Sequence, residues 1–253
     1  MDTPTLDENA KRKRDAWAEK RGVDTYVRDM GVYALRRDES IVGRMLGRGP
    51  AHLLDIPCGT GRYLATASEL GFQVIAADYS PSMLSVARQH EGVPFVRADV
   101  FRPPFMPGSF DVILVSRLLF HYAYPERIVA GLLPLLRPNG RMVFDVLNPY
   151  STRWWASQFL RLLRPDPARQ LYFESPAHLE RSLGRLGCEV IERRSAYLLP
   201  TRAYRGLPRL ITRLADAVES ILPSRLRVVT YWHIRTTHTY GISGGHHGRG
   251  VHG

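Results

Sequence analysis

Two short stretches carry acids where a ligand-binding strand end would place them. In Leu53-Leu54-Asp55-Ile56-Pro57-Cys58-Gly59-Thr60-Gly61-Arg62, an apolar run ends in a carboxylate and passes through glycines into a helical pattern. Gly59 and Gly61 permit close backbone approach to a ligand, and a helix starting near Arg62 presents free N–H groups. A dinucleotide fingerprint is superficially alike, but it calls for a third Gly or Ala where Leu64 stands. A carboxylate at Asp55 would also repel a pyrophosphate, whereas it suits a ligand carrying an ammonium and a sulfonium. The second stretch, Ala77-Asp78-Tyr79-Ser80-Pro81-Ser82-Met83, ends the next apolar run in another acid.

The elements that must position these residues follow from periodicity. Strands are expected over Ala51–Ile56, Phe72–Ala77, Pro94–Ala98, Asp111–Ser116 and Arg141–Leu147. Helices are expected over Arg62–Leu70, Ser80–Gln89 and Pro125–Leu136. Gly71 closes the first helix, and Ser80 caps the second with Pro81 at its first position. Strands alternating with helices imply a parallel sheet covered on both faces, and the continuous apolar run Val112–Val115 fits a strand buried on both sides. Pro138-Asn139-Gly140 reads as the turn before the fifth strand. Strands at Glu189–Arg194 and Arg227–Arg235 complete a doubly wound, mostly parallel α/β sheet of seven strands, the last antiparallel.

From Leu53 to Asn148 the chain resembles the class I, Rossmann-like S-adenosylmethionine-dependent methyltransferases, in particular their small-molecule group. Their first motif matches Asp55 to Gly61, with Pro57 where Gly is more usual. Their second acid matches Asp78, a carboxylate able to accept from both ribose hydroxyls. The resemblance sets Tyr79 and Met83 beside the adenine, Asp99 on its amino group, and Val100 as a backbone donor. The fourth-strand motif, Phe110 to Ser116, brings Ser116 under the methionine part. The implied cofactor is therefore S-adenosyl-L-methionine, held by Asp55, Pro57, Cys58, Gly59, Thr60, Gly61, Asp78, Tyr79, Met83, Asp99, Val100 and Ser116. Asp111 reads as structural, and Cys58 as a small loop residue rather than a nucleophile.

Methyl transfer from a sulfonium needs alignment, exclusion of water and, for a hydroxyl acceptor, a base. His121, in Ser116-Arg117-Leu118-Leu119-Phe120-His121-Tyr122 after the fourth strand, lies on the ligand side of an open sheet and is the candidate base. No Asn/Asp-Pro-Pro-aromatic motif follows that strand, and the one Pro-Cys sits inside the cofactor loop. Both absences favour a small-molecule, glycan or lipid-linked acceptor over DNA. The expected reaction is methylation of oxygen. N-methylation, a non-catalytic cofactor-binding protein and an RNA methyltransferase stand as alternatives.

Segments flanking residues 50–149 are expected to build the acceptor site: 17–46, 150–187 and a cap insertion over 196–226. Tyr26 and Tyr33 are expected to close over the cofactor. Trp154, Trp155 and Phe159 are placed on a helix directly after the core. Over Arg205–Leu222, the residues Leu207, Ile211, Leu214, Val218 and Ile221 share one helical face beside Arg205, Arg209 and Arg213. A cap packing that face on the core is the expectation, with peripheral contact with an anionic membrane as the other reading.

Charge agrees with this division. The net +11 leaves residues 50–149 balanced and concentrates in 151–235, where fifteen arginines face seven acids. That excess suits an anionic partner, or a solvated surface in an arginine-biased chain. Lys11–Arg14, flanked by acids, reads as a solvated helix start. No apolar run reaches the ~20 residues of a spanning helix and no leader pattern opens the chain, so a soluble cytoplasmic protein is expected. Two cysteines provide neither a disulfide framework nor metal-ligand spacing. The remaining boundaries are a flexible arm over 1–16, one methyltransferase domain over 17–240, and a disordered Gly/His tail over 241–253. A homodimer is left open.

Overall fold

The computed structural model describes Asp15, residues 31 to 163 and residues 170 to 237. The arm, the Lys11–Arg14 run, Tyr26, and the Gly/His tail lie outside the described residues. In chain order the elements are α1 (Val32–Leu46), β1 (Ala51–Asp55), α2 (Leu64–Glu69), β2 (Phe72–Asp78), α3 (Pro81–Ala87), β3 (Phe95–Arg97) and β4 (Phe110–Val115). There follow α4 (Pro125–Leu132), β5 (Leu136–Leu147), α5 (Thr152–Leu163), α6 (Pro176–Arg185), β6 (Cys188–Ala196), α7 (Arg209–Ile221) and β7 (Val229–Thr236).

The seven strands form one sheet ordered β3-β2-β1-β4-β5-β7-β6. The first five run parallel, and β7 is antiparallel to both β5 and β6. Strand order reverses between β1 and β4, so the connections leaving these two paired strands run to opposite faces and leave a crevice beyond their C-terminal ends. Successive residues of β1 feed opposite faces: Leu53 packs in the layer with Ile41, Leu64 and Leu84, and Leu54 in the layer with Ile128, Leu179 and Leu183. Helices α1, α2 and α3 thus cover one face, α4 and α6 the other. Ser80 caps α3 as expected, its hydroxyl accepting from Met83 N at 3.2 Å.

Two expectations are corrected. Pro138-Asn139-Gly140 lies inside β5, not before it: Phe110 pairs with Leu136, then the register jumps to Val112 with Arg141. Asn139 adopts φ 60° there, and a Cβ on Gly140 would meet Arg137 O at 2.8 Å, so the strand accommodates an irregular bulge that only a small residue permits.

The second correction concerns the cap. Helix α7 packs its polar face inward, burying Thr212 and Glu219, while Leu210, Ile211, Leu214, Val218 and Ile221 are exposed. The inward face is held by charge. Glu219 accepts from both terminal nitrogens of Arg37 on α1, at 2.5 and 3.1 Å, and from Tyr197 N at 2.9 Å. Tyr33 donates to Asp216, and Arg37 also lies 2.8 Å from it. These bonds fix α7 with its apolar stripe outward, because Asp216 and Glu219 lie on the opposite side of the helix from Leu214 and Ile221.

Candidate active site

A cavity of about 270 Å³ opens beyond the C-terminal ends of β1, β2 and β4. Of the residues expected to bind cofactor, Pro57, Cys58, Gly59, Asp78, Tyr79, Met83, Asp99, Val100 and Ser116 line it, together with the candidate base His121. Asp55 lies beneath this wall, while Thr60 and Gly61 stand off it. Gly61 serves the turn: its φ is 87°, and a Cβ there would meet the His90 ring at 2.7 Å. Gly59, at φ 56° with open space where its Cβ would stand, presents bare backbone to the cavity.

The two acids behave differently. Asp78 is held in place by backbone donors, accepting from Gly59 N and from Ser80 N at 2.8 Å each. Burial pushes its carboxyl up and these bonds pull it back, leaving it above the ordinary carboxylate range. Asp55 is fully buried with neither oxygen partnered. Burial first, and then the Asp78 charge, push its carboxyl well up. An orphaned buried carboxylate is a costly feature unless a ligand completes it. The donor set of S-adenosylmethionine, an ammonium and two ribose hydroxyls, fits these two acids; a pyrophosphate does not. Asp99 divides its role, since one oxygen accepts from Phe101 N at 3.0 Å to hold the turn after β3. Burial pushes the Cys58 thiol far up, in keeping with its reading as a loop residue.

His121 ends a single turn of 3₁₀ helix, Leu119–His121, and its ring lies 4.7 Å from that of Phe120. Beneath that turn is a network outside the sequence expectations. Asp38 of α1, with no exposed surface, accepts from Arg62 Nη1 and Arg117 Nη2 at 2.6 Å each. Its other oxygen accepts from Tyr197 at 2.5 Å and from Tyr231. Burial alone would raise the Asp38 carboxyl, but Arg117, Arg62 and the two phenols together hold it below the ordinary range. Arg117, at φ 59°, also donates its backbone N–H to Asp145 at 2.6 Å. One carboxylate thereby fixes the helix N-terminal to the sheet, the glycine turn, the β4 end and the cap segment. Its signal in the sequence is an acid amid the apolar positions of an amphipathic helix.

The flanking segments contribute other residues than those expected. Tyr33 stacks on Tyr204 at 5.2 Å and faces α7, so that Ala34 rather than Tyr33 reaches the cavity. Trp155 and Phe159 of α5 are exposed, and that helix presents Arg153 to the cavity instead. Leu171, Thr201 and Arg202 close the same side. Among the described residues there is no cluster of His, Cys, Asp or Glu able to hold a metal, and no helix is long and apolar enough to cross a membrane.

Residues 54–144 match the family described as a methyltransferase domain. A ubiquinone biosynthesis O-methyltransferase of Nitrosococcus oceani is 32% identical over 157 residues, which cover 58% of this chain and 64% of that protein. A demethylmenaquinone methyltransferase of Clavibacter sepedonicus is 38% identical over 95 residues, 36% of this chain and 39% of the relative. The chain thus spans about half the length of the curated relatives it matches. In fold it is similar to Haemonchus contortus phosphoethanolamine N-methyltransferase 2, at TM-score 0.63 and 16% identity over 90% of this chain and 60% of that one. It is also similar to an S-adenosylmethionine-dependent methyltransferase of Thermotoga maritima, at TM-score 0.60 and 17% identity over 89% of this chain and all of that one. Motif order, sheet topology and the acids under the glycine turn agree with the methyltransferase domain matched over residues 54–144, and the fold is that of these methyltransferase structures.

Proposed function

We propose that the protein transfers a methyl group from S-adenosylmethionine to an oxygen of a small-molecule or lipid-linked acceptor. The observation that carries this reading is the pair of buried acids, Asp55 with neither oxygen partnered and Asp78 beside it, at the wall of a cavity that His121 also lines. The cofactor supplies an activated methyl on a sulfonium, displaced in line as the acceptor oxygen forms its bond to carbon. Asp78 orients the ribose through its backbone-held carboxylate, and Asp55 faces the ammonium. His121 takes the acceptor's hydroxyl proton and passes it to solvent. Phe120, Tyr122, Leu118 and Leu171 line the acceptor side and exclude water.

Relatives named for ubiquinone biosynthesis and for demethylmenaquinone support an acceptor of that small-molecule class. The outward apolar stripe of α7, flanked by Arg205, Arg209 and Arg213, supports a protein working from the cytoplasmic side against an anionic membrane. Calorimetric titration with S-adenosylhomocysteine and with NADH tests the cofactor; binding of the first alone, at micromolar order, is expected. Labelled-methyl transfer to hydroxylated aromatics, with and without vesicles containing phosphatidylglycerol, then tests the acceptor. Faster transfer with vesicles is expected, and label appearing on nitrogen would establish the N-methylation alternative in its place.

A further inference from the structure

The cavity has opposite charge at its two ends along the sheet. On the β2–β3 side stand Asp78 and Asp99; on the β4–β5 side stand Arg62, Arg117, Arg153 and Arg202. Arg62 and Arg117 are neutralised by Asp38, and Arg117 lies against Asp145 as well. Arg153, in the first turn of α5, is not. Its Nε is buried without a partner, and no carboxylate lies within ion-pair distance of it among the described residues. Burial, then the neighbouring charges of Arg117 and Arg202, push its guanidinium down to about 10. A half-buried cation facing like charges is costly unless an anion completes it. A guanidinium is a planar fork that matches a carboxylate or phosphate with two parallel hydrogen bonds.

We propose that Arg153, with Arg202 at the rim, forms an anion-binding subsite on the acceptor side of the cavity, taking a carboxylate or phosphate group carried by the acceptor. This rests on the reading of the cavity as a methyltransferase site. The subsite would select acceptors whose reactive hydroxyl lies a fixed span from an anionic group, drawing that hydroxyl toward His121. The cofactor's own carboxylate is the other source of the same chemistry, and the two sources are separable by experiment.

The full chain, saturated with S-adenosylhomocysteine, is titrated with inorganic phosphate at constant ionic strength. Saturable binding is expected, weakened about tenfold or more in Arg153→Met and partly kept in Arg153→Lys, which retains the charge but loses the fork. Circular dichroism checks that both variants fold. Absence of saturable phosphate binding, or equal binding by Arg153→Met, overturns the subsite. Should Arg153→Met weaken S-adenosylhomocysteine but leave 5′-methylthioadenosine unchanged, the cluster holds the cofactor's carboxylate and the acceptor assignment falls. Failure of folded wild-type protein to bind S-adenosylhomocysteine overturns the methyltransferase reading instead, and the acceptor assignment with it.

Discussion

Replacing Asp38 with Asn tests whether one buried carboxylate organises the site. The wild-type side chain receives two guanidinium bonds of 2.6 Å and two phenol bonds, with no exposed surface. Asparagine keeps the shape but turns an NH₂ group toward one pair of donors and removes the charge opposing Arg62 and Arg117. Breaking a buried ion pair by removing one partner costs about 3–5 kcal/mol. Set against a urea slope of ~3 kcal/mol per M, this lowers the unfolding midpoint by roughly 1–1.7 M. Glu180→Gln is the internal control, because its pair with Arg193 is about half exposed on both sides; such pairs contribute less than ~1 kcal/mol. Urea unfolding followed by tryptophan fluorescence measures both. The pH dependence has a definite sign. Since the folded-state carboxyl of Asp38 is held below its ordinary value, its contribution is full above the unfolded pKa of about 3.9 and is lost as pH falls through the folded value. Wild type and variant should therefore converge only below about pH 4. An Asp38→Asn cost under ~1 kcal/mol at neutral pH, no larger than the control, would refute the reasoning.

Three further changes probe the cofactor and acceptor ends. Asp78→Ala should weaken S-adenosylhomocysteine by ~1.5–3 kcal/mol in calorimetry, the scale of hydrogen bonds to a charged group, and unchanged affinity removes the ribose assignment. Asp55→Asn should weaken the same ligand while raising urea resistance at neutral pH. The folded Asp55 carboxyl lies above its ordinary value, so wild-type stability falls as pH rises from about 3.9 toward that folded value, and the variant escapes this loss. A variant less stable than wild type at pH 7 would contradict that account. His121→Ala should slow labelled-methyl transfer by about 100-fold, and a fall below about threefold would leave the histidine a bystander.

The parts of the fold legible in the sequence are those whose signals are local. Val112–Val115 reads as a buried parallel strand because both its faces are covered, and Ser80-Pro81 reads as a helix start because cap and helix are adjacent. Asp55 and Asp78 were legible for the same reason: each closes a strand within a few residues of the turn it serves. The Asp38 network was not. Its partners lie 24, 79, 159 and 193 residues away, so no window of sequence contains two of its bonds. Position in the N-terminal helix alone points Tyr33 at the cofactor, whereas Asp216 and Tyr204, more than 160 residues on, draw it to the cap.

The cap helix shows where periodicity stops. The sequence of α7 defines an apolar face and a polar face, but not which of them meets the protein. Apolar burial alone would turn Leu214 and Ile221 inward, each contributing about 1.5–3 kcal/mol if fully covered. The bonds from Arg37, Tyr197 and Tyr33 to Glu219 and Asp216 set the opposite orientation. Glu219 in particular is buried between Arg37 and Arg227, where an inward apolar stripe would take the carboxylate away from both guanidiniums. Among the described residues, a helix held this way leaves its apolar stripe exposed, with arginines along its margin. The same segment carries Arg202 at the cavity rim and Tyr197 on Asp38. Whatever covers α7 therefore bears on a segment joined by direct bonds to the floor of the candidate active site.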